Sequence, residues 1–224
     1  MMLRKCAILL VALLLNGCAE LKAQQRLTPG MSAEDIRARA EQGDANAQFT
    51  LGQMFEHGRG VPLSFVDAIK WYQASANQGF ATAQSTLGYL YQYGEVVKKD
   101  PQAAFMWNLK AAQQEDAYGQ HNLAVMYDEG TGIPENNEEA VKWYRKAAEQ
   151  GYDQAEFNLG LCYWKGEGVT RDYVEAYRLL NHVRVATQDQ TVRWRARGIL
   201  DELKKVMSKE EIRAAKGRPG SRYY

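Results

Sequence analysis

The sequence predicts an all-α array of four stacked helix pairs, and three observations predict it: a fixed 36-residue period, helical spacing of apolar residues twice within each period, and a column of capping residue types before every second helix. A shift of 36 residues superposes Leu51, Leu87, Leu123 and Leu159, then Gly52, Gly88, Ala124 and Gly160, then Phe55, Tyr91, Tyr127 and Tyr163. Gly58, Gly94, Gly130 and Gly166 fall in register, as do Ala68, Ala104, Ala140 and Ala176, and Trp71, Trp107 and Trp143 with Leu179 in the fourth copy. A period of this size belongs to a solenoid, in which each unit buries its apolar face on its neighbours. The units are 44–79, 80–115, 116–151 and 152–187, with capping helices expected over 32–43 and 188–216 and a tail over 217–224.

The chain begins with a leader. Arg4 and Lys5 precede the apolar run from Cys6 to Leu15, which is too short for an ordinary transmembrane helix and reads as a secretory signal core over 1–17. Leu15-Asn16-Gly17-Cys18 resembles the bacterial lipobox, and the resemblance implies that Cys18 becomes the lipidated first residue of the mature protein. An ordinary cleavable signal followed by a chance cysteine is the competing reading. Ala19 stands where inner-membrane lipoproteins of this type usually carry Asp, so the resemblance implies the bacterial outer membrane, facing the periplasm. Several acyl chains on one residue anchor stably where a single chain would be marginal. Residues 18–31 are polar, with Gln24-Gln25 and Thr28-Pro29-Gly30, and read as a tether.

Ser32 and Asp35 then offer a cap for a short helix through Gln42, ended by Gly43. In the first full unit Ala47, Leu51, Met54 and Phe55 recur at three- and four-residue steps and predict a helix over about Ala45 to His57. Gly58-Arg59-Gly60-Val61 breaks it. Ser64, Asp100, Asn136 and Asp172 form the capping column of the second helices, with Pro101 at a first helical position. Ala68, Trp71, Tyr72, Ser75 and Ala76 mark a buried face, closed by Gly79 as Gly151 closes the third copy. Gly52, Gly88, Ala124 and Gly160 sit mid-helix, where glycine costs about 1 kcal/mol against alanine, so close helix approach must offset that loss. The three tryptophans are expected to fill the space between layers. Past the fourth unit, Val192, Ala196, Ile199, Leu200, Leu203 and Val206 make an amphipathic cap, and Ser208 with Glu211 starts a last short helix.

These columns resemble the Sel-one-like repeat (SLR) family, relatives of the tetratricopeptide repeat. The resemblance rests on A-x-x-x-L-G-x-x-Y at Ala83 to Tyr91 and Ala155 to Tyr163, on the G-x-G-[VI] turns at Gly58 to Val61, Gly130 to Ile133 and Gly166 to Val169, and on the run from Ala140 to Gly151. Departures are Val96 in the second turn and Leu179-Leu180 in place of the Trp-Tyr pair. It implies antiparallel helix pairs wound into a right-handed α/α superhelix.

Composition narrows the function. Lys plus Arg is 28 against 27 Asp plus Glu, and loss of Arg4 and Lys5 with the leader leaves 26 against 27, which gives no electrostatic reason to expect nucleic acid. With Cys6 removed and Cys18 lipidated, Cys162 is left without a partner thiol and, in the column of Met54, Leu90 and Met126, reads as a small core hydrophobe. His57, His121 and His182 show no ligand spacing, no nucleophile elbow or phosphate loop is present, and the glycine turns follow helices rather than strands. No metal, cofactor or catalytic residue is expected, and the chain reads as a non-enzyme. Some cysteine-rich SLR proteins have been linked to β-lactam binding, but their paired cysteines are missing.

Binding remains. By resemblance to tetratricopeptide arrays the first helices line a groove, and the columns assigned to it present Phe49, Tyr89, Tyr93, Tyr118, His121, Phe157, Leu161 and Trp164. Aromatic anchors in a concave surface suit a protein partner, although Phe49 and Phe157 could equally pack inside the array. The expected function is a lipid-anchored periplasmic interaction module: an immunity lipoprotein neutralising a phospholipase toxin of type six secretion, or a scaffold for exopolysaccharide or other envelope machinery. A cell-wall ligand-binding protein or hydrolase is the remaining alternative, for which no residues stand out.

Overall fold

The computed structural model describes residues 31–94 and 96–217. The leader, Cys18 and the tether before Met31 lie outside the described residues, as do residues 218–224 of the tail. Two compact units divide the chain, one running to Ala83 and the other starting at Gln84. All regular structure among the described residues is α-helical, and no described helix is long and apolar enough to cross a membrane.

The first unit holds α1 (Ala33–Glu41), α2 (Ala45–His57) and α3 (Phe65–Asn77), and α4 (Ala81–Tyr93) begins in it. Ser32 and Asp35 form a reciprocal capping box on α1, with the Asp35 N–H donating to Ser32 Oγ at 3.1 Å. Asp44 caps α2, accepting from the N–H groups of Asn46 and Ala47. Leu51 and Val61 are buried with Ala40, against Ile36, Met54, Phe55 and Trp71.

The second unit carries the rest of α4, then α5 (Pro101–Gln113), α6 (Ala117–Glu129), α7 (Asn137–Glu149), α8 (Asp153–Lys165), α9 (Tyr173–Ala186), α10 (Gln190–Val206) and α11 (Lys209–Gly217). Asp100, Asn136 and Asp172 each accept from the backbone N–H three residues on, as Ser64 does in the first unit. The capping residue also closes the turn from behind. Its own N–H donates to the carbonyl nine residues earlier: Ser64 to Phe55, Asp100 to Tyr91, Asn136 to Tyr127 and Asp172 to Tyr163, at 2.8–3.0 Å.

A second periodic bond runs between glutamines thirty residues apart. Gln78 Nε2 donates to Gln48 Oε1 at 2.7 Å, Gln114 to Gln84 at 2.8 Å and Gln150 to Gln120 at 2.9 Å. Gln48 and Gln120 spend their own amides on the carbonyls of Ala40 and Ala112, which end the preceding helices. Each of these carbonyls thereby gains a second donor beside the backbone N–H of its turn, from Gly43 to Ala40 and from Glu115 to Ala112. The fourth copy replaces this pair with Glu156 and Ala186, and the buried Glu156 instead meets His182 Nδ1 at 2.8 and 3.0 Å.

The small mid-helix residues do set the approach of paired helices. A Cβ at Gly52 would lie 2.6 Å from the Tyr72 ring, one at Gly88 2.1 Å from Asn108 Oδ1, and one at Gly160 2.9 Å from Leu180. The expectation for the tryptophans needs correcting. Trp71, Trp107 and Trp143 are only half-buried, and Lys110 and Lys146 lie over the rings of Trp107 and Trp143 at 4.5 and 4.2 Å. The bulky side chains that are fully buried between paired helices are one residue further on, at Tyr72 and Tyr144, because a helical step of 100° carries the tryptophan to the margin of the apolar stripe.

Two residues past the second helix of the first three copies the backbone is left-handed, and in one copy this strains a side chain. Gly79 and Gly151 have φ of 89° and 84°, and Glu115, in the same column, has φ of 63°. A side chain in this left-handed region costs about 1–2 kcal/mol. Glu115→Gly is expected to raise stability by about 0.5–1 kcal/mol in chemical denaturation, the glycine's greater unfolded-state entropy offsetting part of the relief.

Candidate interaction surface

The second unit brings the first helices α4, α6 and α8 together with their aromatic side chains in sequence. Tyr89 and Tyr93, one turn apart on α4, pack at a tilt of 45° with centroids 4.6 Å apart. Tyr89 lies 6.0 Å from Tyr118 on α6, and Tyr118 lies 6.2 Å from Tyr152, the residue that opens α8. Tyr152 in turn packs 5.1 Å from His121. Five rings thus form one ladder. Tyr93 is 49% exposed and forms its accessible end, while burial raises the phenols of Tyr118 and, to about 12, Tyr152 above their ordinary value.

His121 sits inside this ladder as a neutral imidazole. Its Nδ1 lies 3.4 Å from Asn122 Oδ1 and its Nε2 3.3 Å from Asn158 Nδ2, which assigns the proton to Nδ1 and leaves Nε2 accepting from the amide. Burial pushes the imidazole down from 6.5 to about 4, with the Asn122 contact opposing. Between those two values the unfolded chain binds a proton that the folded chain refuses, so this contribution is fully present above pH 6.5 and is lost as pH falls toward 4. The expected loss is about 2–3 kcal/mol over that window, read from denaturation midpoints. His121→Gln is expected to flatten the profile.

The eight residues assigned to the groove therefore divide. Tyr89, Tyr93, Tyr118 and His121 meet in the ladder. Leu161 and Trp164 lie at a separate apolar cleft of about 640 Å³ between α8 and α10, with Trp194 and Ile199 on its far side. Phe157 borders the same cleft but is corrected as an accessible anchor: it is 2% exposed, packed with Tyr177, Leu180 and Val192, and Arg195 covers its ring at 4.7 Å. Phe49 in the first unit is half-buried, its ring 5.4 Å from both Tyr72 and Phe80. Phe49, Ser85, His121 and Phe157 are one column of the repeat, and that column is turned toward neighbouring helices instead of solvent.

Sequence reasoning missed Tyr152 and Trp194. Tyr152 stands at the helix entry in the column of Phe80, and both rings reach back to the residue thirty-one positions earlier, Phe80 to Phe49 and Tyr152 to His121. Trp164 occupies the column of Glu56 and Asp128, whose carboxylates accept from Tyr72 at 2.5 Å and Tyr144 at 3.2 Å. Leu180 replaces that tyrosine in the fourth copy, so no hydroxyl remains to be answered and an indole can stand there.

The arrangement offers surfaces for binding. Among the described residues no three His, Cys, Asp or Glu side chains converge on a possible metal position. Cys162 is buried and unpaired, its thiol pushed up to about 12, as a core side chain would be.

The comparisons with known proteins agree with the repeat. The Sel1 repeat model matches residues 45–80, 81–116, 117–152 and 153–181. A Sel1 repeat protein from Oxalobacter formigenes is 36% identical over 64% of this chain and 59% of its own, with a TM-score of 0.58. The protein c5321, a protective antigen of uropathogenic Escherichia coli strains displaying an SLR fold, is 28% identical over 81% of this chain and 46% of its own, with a TM-score of 0.51. The chain thus spans about half the length of these structures, and no curated protein matches it. Sel1 repeats form α-solenoids related to tetratricopeptide arrays and generally serve as interaction scaffolds rather than catalysts. With four such repeats in register, the chain belongs to the Sel1 repeat family and carries its protein-interaction fold.

Proposed function

We infer that this chain is a lipid-anchored, periplasm-facing adaptor that holds one partner protein against the aromatic ladder of α4, α6 and α8. The ladder is the observation that carries the reading: five rings in series, ending at the exposed Tyr93, supply the rigid amphipathic contacts that protein hot spots use. The anchor and the outer-membrane location rest on the leader and on Leu15-Asn16-Gly17-Cys18. Immunity to a phospholipase toxin and scaffolding of envelope machinery both fit such an adaptor, and the partner's chemistry separates them.

Affinity capture with the full chain from detergent-solubilised envelope tests the reading, with Tyr93→Ala as the comparison. One stoichiometric partner is expected, bound about 30-fold more weakly by the variant while its helical signal is unchanged. A secreted phospholipase as that partner identifies immunity, and a component of an envelope assembly identifies a scaffold. Equal capture by both proteins removes the ladder from the interface. A cell-wall fragment bound in place of a protein would overturn the adaptor reading.

A further inference from the structure

A second cavity opens on α10, and its chemistry differs from that of the apolar cleft. It encloses about 560 Å³ between α9, α10 and α11, and its wall carries Arg184, Arg193, Arg197 and Lys216. Lys204 and Asp201 also reach it, paired at 2.7 Å, and the Asp201 carboxylate also faces Arg197 beyond ion-pair distance, so three of the other cations have no carboxylate on the wall left to them. None of the other four cations makes an ion pair among the described residues. Arg184 Nη2 donates to Asn181 Oδ1 at 3.0 Å and Arg193 Nη2 donates to the Thr187 carbonyl, so both guanidiniums are positioned while their charge stays unanswered. Asp189, at the start of α10, spends its carboxylate on the N–H groups of Thr191 and Val192. Trp194, 75% exposed, stands on the wall between this cavity and the apolar cleft.

Four like charges around one cavity repel one another, and the folded state recovers that cost when an anion enters. Guanidinium forks match the oxygens of a phosphate group, and the positive end of α10 opens on the same cavity through Gln190. An exposed indole beside them suits the headgroup level of a bilayer, where ring and N–H are both satisfied. The wall residues come from the helices after the fourth repeat and from the end of that repeat, so the feature belongs to this chain's C-terminal cap and not to the repeat pattern. We propose that this cavity binds phosphate-bearing anions, supplied by the headgroups of an anionic lipid surface.

Co-sedimentation of the full chain with vesicles tests this, comparing pure phosphatidylcholine with phosphatidylcholine containing phosphatidylglycerol. Arg197→Gln/Lys216→Gln is the principal variant, since neither side chain has a hydrogen-bond partner whose loss would disturb the fold. At about fivefold per cation, the variant is expected to bind the anionic vesicles roughly 25-fold more weakly than the unaltered chain. Lys98→Gln/Lys99→Gln removes the same charge from the α4–α5 connection and is expected to bind like the unaltered chain. All three proteins are compared as unacylated full chains, so no lipid anchor holds them to the vesicles.

A melting series with inorganic phosphate separates the sources. Phosphate is expected to raise the melting temperature of the unaltered chain and of Lys98→Gln/Lys99→Gln, but not of Arg197→Gln/Lys216→Gln. A phosphate effect without any preference for anionic vesicles would support the anion site and overturn its lipid source. Equal losses in the two double variants, or a poly-glutamate peptide that stabilises as well as phosphate, would overturn the site itself.

Discussion

Gly168→Ala is expected to destabilise the fold by at least about 3 kcal/mol, whereas Gly151→Ala should cost only about 1 kcal/mol. Both glycines have positive φ, 69° and 84°, so the two substitutions share the intrinsic cost of a left-handed side chain. They differ in surroundings. A Cβ at Gly151 would meet nothing within 4 Å, while one at Gly168 would lie 2.0 Å from the Asn137 carbonyl oxygen and 2.9 Å from the Glu138 nitrogen. Those atoms are backbone at the start of α7 and cannot rotate away, so the turn of the fourth repeat would have to lift from the helix on which it rests. Denaturant midpoints at unchanged slope check the pair. Equal losses for the two variants would show that the turn yields freely and that the close approach does not hold the last two repeats together.

The same turn shows what was legible in the sequence. The register of glycines at 60, 132 and 168, with Val96 as the exception, is legible in the sequence alone, as are the capping column and the start and end of α2. Each depends on chemistry within a few residues, and local chemistry repeats faithfully when the period does. The candidate site was legible only in part. Tyr89, Tyr93 and Tyr118 stand out because they differ from their column mates, whereas the column of Phe157 left open whether its ring lines the groove or packs inside the array, because its neighbours lie outside the repeat. Arg195 and Val192 cover it from α10, an element with no counterpart in the earlier copies. Trp194 was missed on the same ground. The contact of Glu156 with His182 spans twenty-six residues and replaces a glutamine pair of span thirty, so only comparison of the columns at 48, 84, 120 and 156 with those at 78, 114, 150 and 186 could have signalled that the fourth copy needs a different partner.

Tyr144 is 1% exposed, packs among Ala124, Ala140 and Leu159, and donates its hydroxyl to Asp128 at 3.2 Å. Burial and the neighbouring carboxylate both hold its phenol protonated far above the ordinary range, so it remains a donor at any accessible pH. Tyr144→Ala is expected to cost about 3–5 kcal/mol, since α6, α7 and α8 cannot collapse onto a ring-sized void and Asp128, itself partly desolvated, loses its donor. Tyr144→Phe keeps the ring and removes only the hydroxyl, and about 1–2 kcal/mol should be lost. Trp143→Ala, one position earlier, is expected to cost about 2 kcal/mol, because one face of that indole is covered by the flexible Lys146 side chain and not by the core. Chemical denaturation of the three variants orders the columns: a tyrosine loss larger than the tryptophan loss places the interlayer filling at Tyr144, and the reverse order would return it to the tryptophans.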